Sequence, residues 1–143
     1  RLGVAAIMFV VVDASVWVAR LVSEDVFFEP VKKWMLERLE AEDQFLAPSL
    51  LLAEVGGAIS RRTTSSLGLK AVEQLQNLPG LQLVEMEHSL IQEAAQLAAE
   101  LGLRGADSVY VAVAARLGVP LATLDVDQRE KSVYRITVLD IPV

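Results

Sequence analysis

The run Val4–Val12 holds nine apolar residues in succession, many of them β-branched, and stops at Asp13. Such a run reads as a strand buried on both faces of a parallel sheet, which needs helices packed on each side. It is too short to span a bilayer, which takes about 20 apolar residues. The chain is therefore expected to alternate strands with helices, and its sites to lie beyond the strands' carboxyl ends, where Asp13 falls.

The rest of the chain fits that expectation. A helix is expected directly after Asp13, and a second over Val31–Glu42, with Pro30 in its first turn. Gln44–Ala47 reads as a strand, and Pro48-Ser49 opens a helix reaching about Arg62. Leu67–Leu78 reads as a helix stopped by Pro79-Gly80, followed by the strand Leu81–Met86. Helices over His88–Leu101 and Ala106–Leu117 are closed by Gly102 and Gly118. Pro120–Leu124 and Arg135–Leu139 are the last strands, giving about five in a mainly parallel sheet. One domain over residues 8–143 is expected, with Arg1–Ile7 as an upstream or appended extension.

Hydrophobic residues make up 53% of the 143, so the chain can build a core and is not globally disordered. It has no cysteine, which excludes disulfides, zinc fingers and thiol catalysis, and a cytoplasmic location fits. A net charge of −6 argues against a binder held to polyanions by a broad basic surface. It does not exclude a nuclease, because bound cations offset local acidity.

Four acids stand where apolar residues are expected: Asp13, Glu54 within Leu50–Ile59, Asp107 opening its helix, and Asp125 after Leu121–Leu124. Carboxylates are seldom fully buried unless paired or bound to metal. Each also has a plainer reading. Asp13 could only cap a helix, Asp107 could only complement a helix dipole, and Asp125 could be a turn residue with Asp127 offering the same chemistry. Glu54 is the hardest to explain away. Its neighbours are apolar, and Arg61 and Arg62 lie two turns off.

Taken in order, these segments resemble the PIN-domain family, and specifically the ribonuclease toxins of VapBC-type pairs. Val11-Val12-Asp13-Ala14-Ser15 is similar to the family's opening strand and first acid. The stretch Ala47–Glu54 resembles the segment bearing the second, Leu103–Ala114 the Asp-initiated helix bearing the third, and Thr123-Leu124-Asp125 the segment bearing the fourth. Two departures stand out. Val126-Asp127 follows where the family often has a basic or polar residue, and Gly56-Gly57 either weakens its helix or permits close backbone approach.

The resemblance implies a three-layer α/β/α sandwich. It also implies an Mg²⁺- or Mn²⁺-dependent endoribonuclease that hydrolyses RNA phosphodiesters as the toxin of a type II toxin–antitoxin pair. A cognate antitoxin and a homodimer are the implied protein partners, with no membrane. Asp13 and Asp107 would be the primary metal ligands, and Glu54 and Asp125 would complete the site, with Asp127 as a possible substitute. Hard cations of this kind take carboxylate oxygen and water. A pair of ions could activate water and stabilise the leaving oxygen, so no side-chain nucleophile is needed.

Ser15 and Thr123 are candidates to orient carboxylates or metal-bound water, or are local caps. Arg61, Arg62 and Arg104 are candidates for substrate phosphate. The lone His88 reads as a surface residue. Trp17 and Trp34 are expected in the core, and Phe27 and Phe28 remain candidates for a partner-helix groove. Two alternatives stay open: a PIN fold kept as a binding or scaffold protein, and, ranked lower, a receiver-like signalling module.

Overall fold

The computed structural model describes residues 7–143. Of the expected extension and the expected start of the first strand, residues 1–6 lie outside the described residues. Among the described residues the sheet has five strands, all parallel: β1 Phe9–Val12, β2 Gln44–Pro48, β3 Leu81–Val84, β4 Leu121–Ala122 and β5 Val138–Leu139. Their order is β3-β2-β1-β4-β5. The chain thus runs outward from β1 to β3, then crosses back to the other side of β1. The carboxyl ends of β1 and β4 flank the point of reversal, where a crevice opens in doubly wound sheets.

The helices are α1 Ala14–Leu21, α2 Phe28–Glu40, α3 Leu50–Arg62, α4 Ser65–Gln76, α5 His88–Leu101, α6 Gly105–Leu117 and α7 Val126–Ser132. Right-handed crossovers place α1–α4 on one face and α5–α7 on the other, giving three layers. The β1 residues Val10, Val11 and Val12 are fully buried between them, as the apolar run required. Trp17 and Trp34 are also core residues; they meet Phe45 edge-on at 5.8 Å and stacked at 6.0 Å. α6 is buried from Ser108 through Ala114 and packs on β1 and β2.

Several boundaries differ from expectation. Helix α2 starts earlier, at Phe28, and ends at Glu40, because Glu42 adopts a left-handed φ of 64° in the turn into β2. α4 starts at Ser65, where the Thr64 hydroxyl accepts from the Leu67 N–H at 3.2 Å. β3 stops at Val84 rather than Met86, and β4 and β5 are two residues each. β4 is short because the chain turns at Thr123 into α7, a helix the sequence pattern did not suggest.

The Gly56-Gly57 pair has two separate uses. A Cβ on Gly56 would lie 2.8 Å from Val72, and one on Gly68 would lie 2.8 Å from the Gly56 carbonyl oxygen. α3 and α4 therefore meet backbone to backbone, which only glycine permits here. Gly57 faces a different neighbour, the Arg61 guanidinium.

Candidate functional site

β1 and β4 pair in the register Val11↔Leu121 and Val12↔Ala122. One step further along, the ladder sets Asp13 beside Thr123. The Asp13 side chain is 4% exposed. Its Oδ1 accepts from the Ser15 hydroxyl at 2.6 Å and its Oδ2 from the Thr123 hydroxyl at 2.5 Å. It also caps α1, accepting from the Val16 N–H at 3.4 Å. The cap and the buried site are thus one residue. Burial pushes its carboxyl up to about 6; the hydroxyl and amide donors resist the rise and Asp107 adds to it.

Glu54 differs from its expected setting. The sequence suggested a carboxylate buried without a partner, but Glu54 is only half-buried, with exposed Ala53 beside it. The small residues Ala53, Gly57 and Ala58 leave that side of α3 open. A partner exists as well: the buried Tyr110 hydroxyl donates to Glu54 Oε1 at 2.5 Å. The phenol's own proton is held far above its ordinary range by burial and by this carboxylate.

Asp107 lies in the first turn of α6, half-buried, and accepts from Arg104 Nε at 3.1 Å. Burial raises its pKa, the Arg104 guanidinium opposes the rise, and Asp125 and Asp127 add to it. Asp125 caps α7, its Oδ1 accepting from the Gln128 N–H at 3.0 Å. Its Oδ2 accepts from Arg104 Nη2 at 2.5 Å. Asp127 is exposed and turned to Lys131 at 3.0 Å. Of the two competitors for the fourth position, the structure places Asp125 in the cleft and Asp127 outside it.

The cleft, about 310 Å³, is lined by Asp13, Glu54, Asp107, Asp125, Ser15, Tyr110 and Arg104 with Ala14 and Ala106. Ser15 and Thr123 do more than cap: each hydroxyl donates to Asp13 while accepting a backbone N–H, from Leu124 at 3.0 Å and from Asp125 at 3.0 Å. Among the described residues, no three carboxylates stand as a ready-made metal cage. The Arg104 guanidinium spans Asp107 and Asp125 and supplies positive charge between them. The donor set still fits a hard divalent cation: carboxylate oxygens on four elements, one of them a buried group whose ionisation is disfavoured until positive charge arrives.

Gln128 is a residue that sequence reasoning missed. It is fully buried, donates from Nε2 to the Asp107 carbonyl oxygen at 3.2 Å, and faces the Thr123 hydroxyl with Oε1 at 3.1 Å. With its backbone N–H on Asp125, it ties the elements bearing three of the acids. Its only sequence signal was its position three residues after Asp125, where a helix cap receives its N–H. His88 is exposed, as expected, and lies outside the cleft.

The acids gathered at the reversal point of this parallel sheet form an acidic cleft on a doubly wound scaffold. The model of the PIN domain family matches residues 10–133, so the chain belongs to that family. Its fold is similar to that of VapC20, a sarcin–ricin-loop-cleaving toxin from Mycobacterium tuberculosis, with TM-score 0.71, 18% identity, and 85% of this chain and 93% of that one covered. It is similar also to VapBC2 from Rickettsia felis, solved with a promoter DNA fragment, with TM-score 0.70, 14% identity and coverage of 92% and 98%. FitAcB from Neisseria gonorrhoeae matches with TM-score 0.68, 18% identity and coverage of 92% and 96%. No protein of curated function matches the chain in sequence. No helix among the described residues is long and apolar enough to cross a membrane.

Proposed function

We propose that the chain is a divalent-metal-dependent endoribonuclease of the VapC toxin kind, restrained by a cognate antitoxin. The observation that carries this reading is the placement of Asp13, a buried carboxylate opening into a cleft shared with Asp107, Glu54 and Asp125. Membership in the PIN family and the likeness to VapC20, a sarcin–ricin-loop-cleaving toxin, support it. The likeness to VapBC2 and FitAcB supports the antitoxin. The homodimer implied by the resemblance, and the cytoplasmic setting that the lack of cysteine fits, belong to the same proposal.

Asp13 and Asp107 would hold the metal, with Glu54 and Asp125 completing the shell. The bound cation would supply an activated water and charge neutralisation at the cleaved phosphodiester. The chain's own residues do the rest. Ser15 and Thr123 fix the rotamer of Asp13, Tyr110 aims Glu54, and Gln128 holds the first turn of α6 against α7. Arg104, exposed and already between two carboxylates, can turn to a substrate phosphate once a cation neutralises them.

The test combines binding and cleavage. Mn²⁺ should raise the melting temperature of the unsubstituted chain. The rise should vanish in the Asp13→Asn/Asp107→Asn double variant, and Mn²⁺-dependent RNA cleavage should be lost in either single variant. Full cleavage by Asp13→Asn or Asp107→Asn would overturn the assignment.

A further inference from the structure

A second depression, about 660 Å³, adjoins the acidic cleft and shares Ser15, Glu54 and Asp125 with it. It continues past Ala53 and Ala58 to Phe27 and Arg61. The two ends of this trough differ chemically, and the far end has three unusual features.

The first is an unneutralised cation. Among the described residues every other arginine has a carboxylate within 4 Å or, for Arg20, the Phe28 ring beneath it. Arg61 has neither, on a chain of net charge −6. The second is its seat. A Cβ on Gly57 would stand 3.1 Å from Arg61 Nη1, so the guanidinium lies in the space this glycine leaves. Gly57 is three residues beyond Glu54, about 4.5 Å along the helix axis, so the charge folds back toward the acids. The third is an aromatic wall. Phe27 is 37% exposed, unlike the buried tryptophans. Asp25 accepts its N–H at 2.9 Å and pairs with Arg62 at 2.9 Å, which ties the Phe27 loop to the end of α3 beside Arg61.

A cation for phosphate and an exposed ring for a base, lining one trough with Ala53 and Ala58, make up a stacking platform for single-stranded nucleic acid. Bases stacked inside a duplex cannot lie on such a ring. Resting on the nuclease reading above, we propose that this trough binds a single-stranded RNA nucleotide flanking the cleaved bond, with Arg61 on its phosphate and Phe27 under its base.

Binding of a fluorescein-labelled single-stranded RNA, and of the same sequence as a duplex, is followed by anisotropy across a salt series. All variants carry Asp13→Asn, so that binding is read without cleavage. The single strand should bind more tightly than the duplex. Phe27→Ala should weaken single-strand binding about 5- to 160-fold, the range for loss of one stacked base. Arg61→Ala should weaken it and make the fall of log K with log salt shallower by about 0.7, whereas Phe27→Ala keeps the slope. Gly57→Ala separates binding from folding: it should raise the melting temperature by filling a helix glycine, yet weaken RNA binding by displacing Arg61.

Unchanged affinity and slope in all three variants, with RNA still bound, would overturn the trough as an RNA subsite, leaving the nuclease reading intact. Equal binding of duplex and single strand would overturn it as well. Absence of both RNA binding and Mn²⁺-dependent cleavage in the unsubstituted chain would remove the nuclease reading itself.

Discussion

Replacing Asp13 with asparagine should make the metal-free protein more stable, even though it destroys the proposed site. Asp13 is 4% exposed and its carboxyl is raised to about 6. An acid whose folded pKa lies above its unfolded value costs nothing while both states are protonated. The cost grows as pH rises from about 4 to about 6 and is constant above that. From an ordinary aspartate at 3.8 to about 6, at about 1.4 kcal/mol per pH unit, the cost is about 3 kcal/mol at pH 8.

The donors to Asp13 favour its charged form, and that offset is already contained in the raised value; asparagine can still be met by the same partners. Thr123 has one hydroxyl proton and two acceptors in reach, Asp13 Oδ2 at 2.5 Å and Gln128 Oε1 at 3.1 Å. Asparagine would donate to Thr123, freeing that proton for Gln128, while its oxygen still accepts from Ser15. Thermal unfolding in chelator, from pH 4 to pH 8, should therefore show Asp13→Asn roughly 6–12 °C above the parent at pH 8. The gap should close toward pH 4. Mn²⁺ at pH 8 should then stabilise only the parent, reducing or reversing the gap. A variant no more stable than the parent at pH 8, or a gap independent of pH, would refute the buried-charge argument.

Arg104→Gln removes the cation that spans Asp107 and Asp125, so calorimetry should show severalfold tighter Mn²⁺ binding with no change in fold. Gln128→Met keeps volume but removes the side-chain donor to the Asp107 carbonyl and the acceptor facing Thr123; urea unfolding should show a loss of about 1–3 kcal/mol, and Mn²⁺ affinity should fall. Gly68→Ala should lower the urea midpoint. Its Cβ would meet the Gly56 carbonyl oxygen at 2.8 Å, and overpacking of about 1–3 kcal/mol outweighs the roughly 1 kcal/mol of helix propensity gained.

The sheet was legible because its strands announce themselves. Val10–Val12 is apolar on both faces, and Gly102 and Gly118, at φ 70° and 66°, close α5 and α6 where the pattern placed them. Helix α7 was not legible: Val126–Ser132 is short and polar, with no apolar stripe, and only the Asp125 cap marks its start. Glu54 was misjudged because apolar neighbours along a chain say little about what a helix face meets. The contact that matters, with Tyr110, spans 56 residues. The Arg104–Asp125 bridge and the Gln128–Asp107 tie were hidden for the same reason, each joining residues 21 apart on different elements, as the β1–β4 register joins Asp13 to Thr123 across 110.

That register also sets when the cleft can exist. Asp13 leaves the ribosome 110 residues before the hydroxyl that grips its Oδ2. At about 5–20 residues per second, roughly 5 to 20 s of synthesis separate the two. During that interval β1 can gain β2 at one edge, while the edge that β4 will occupy is still bare. A growing chain therefore carries its first acid without the cleft, and the polysome that makes the protein meets no assembled site until the final fifth of these residues has emerged.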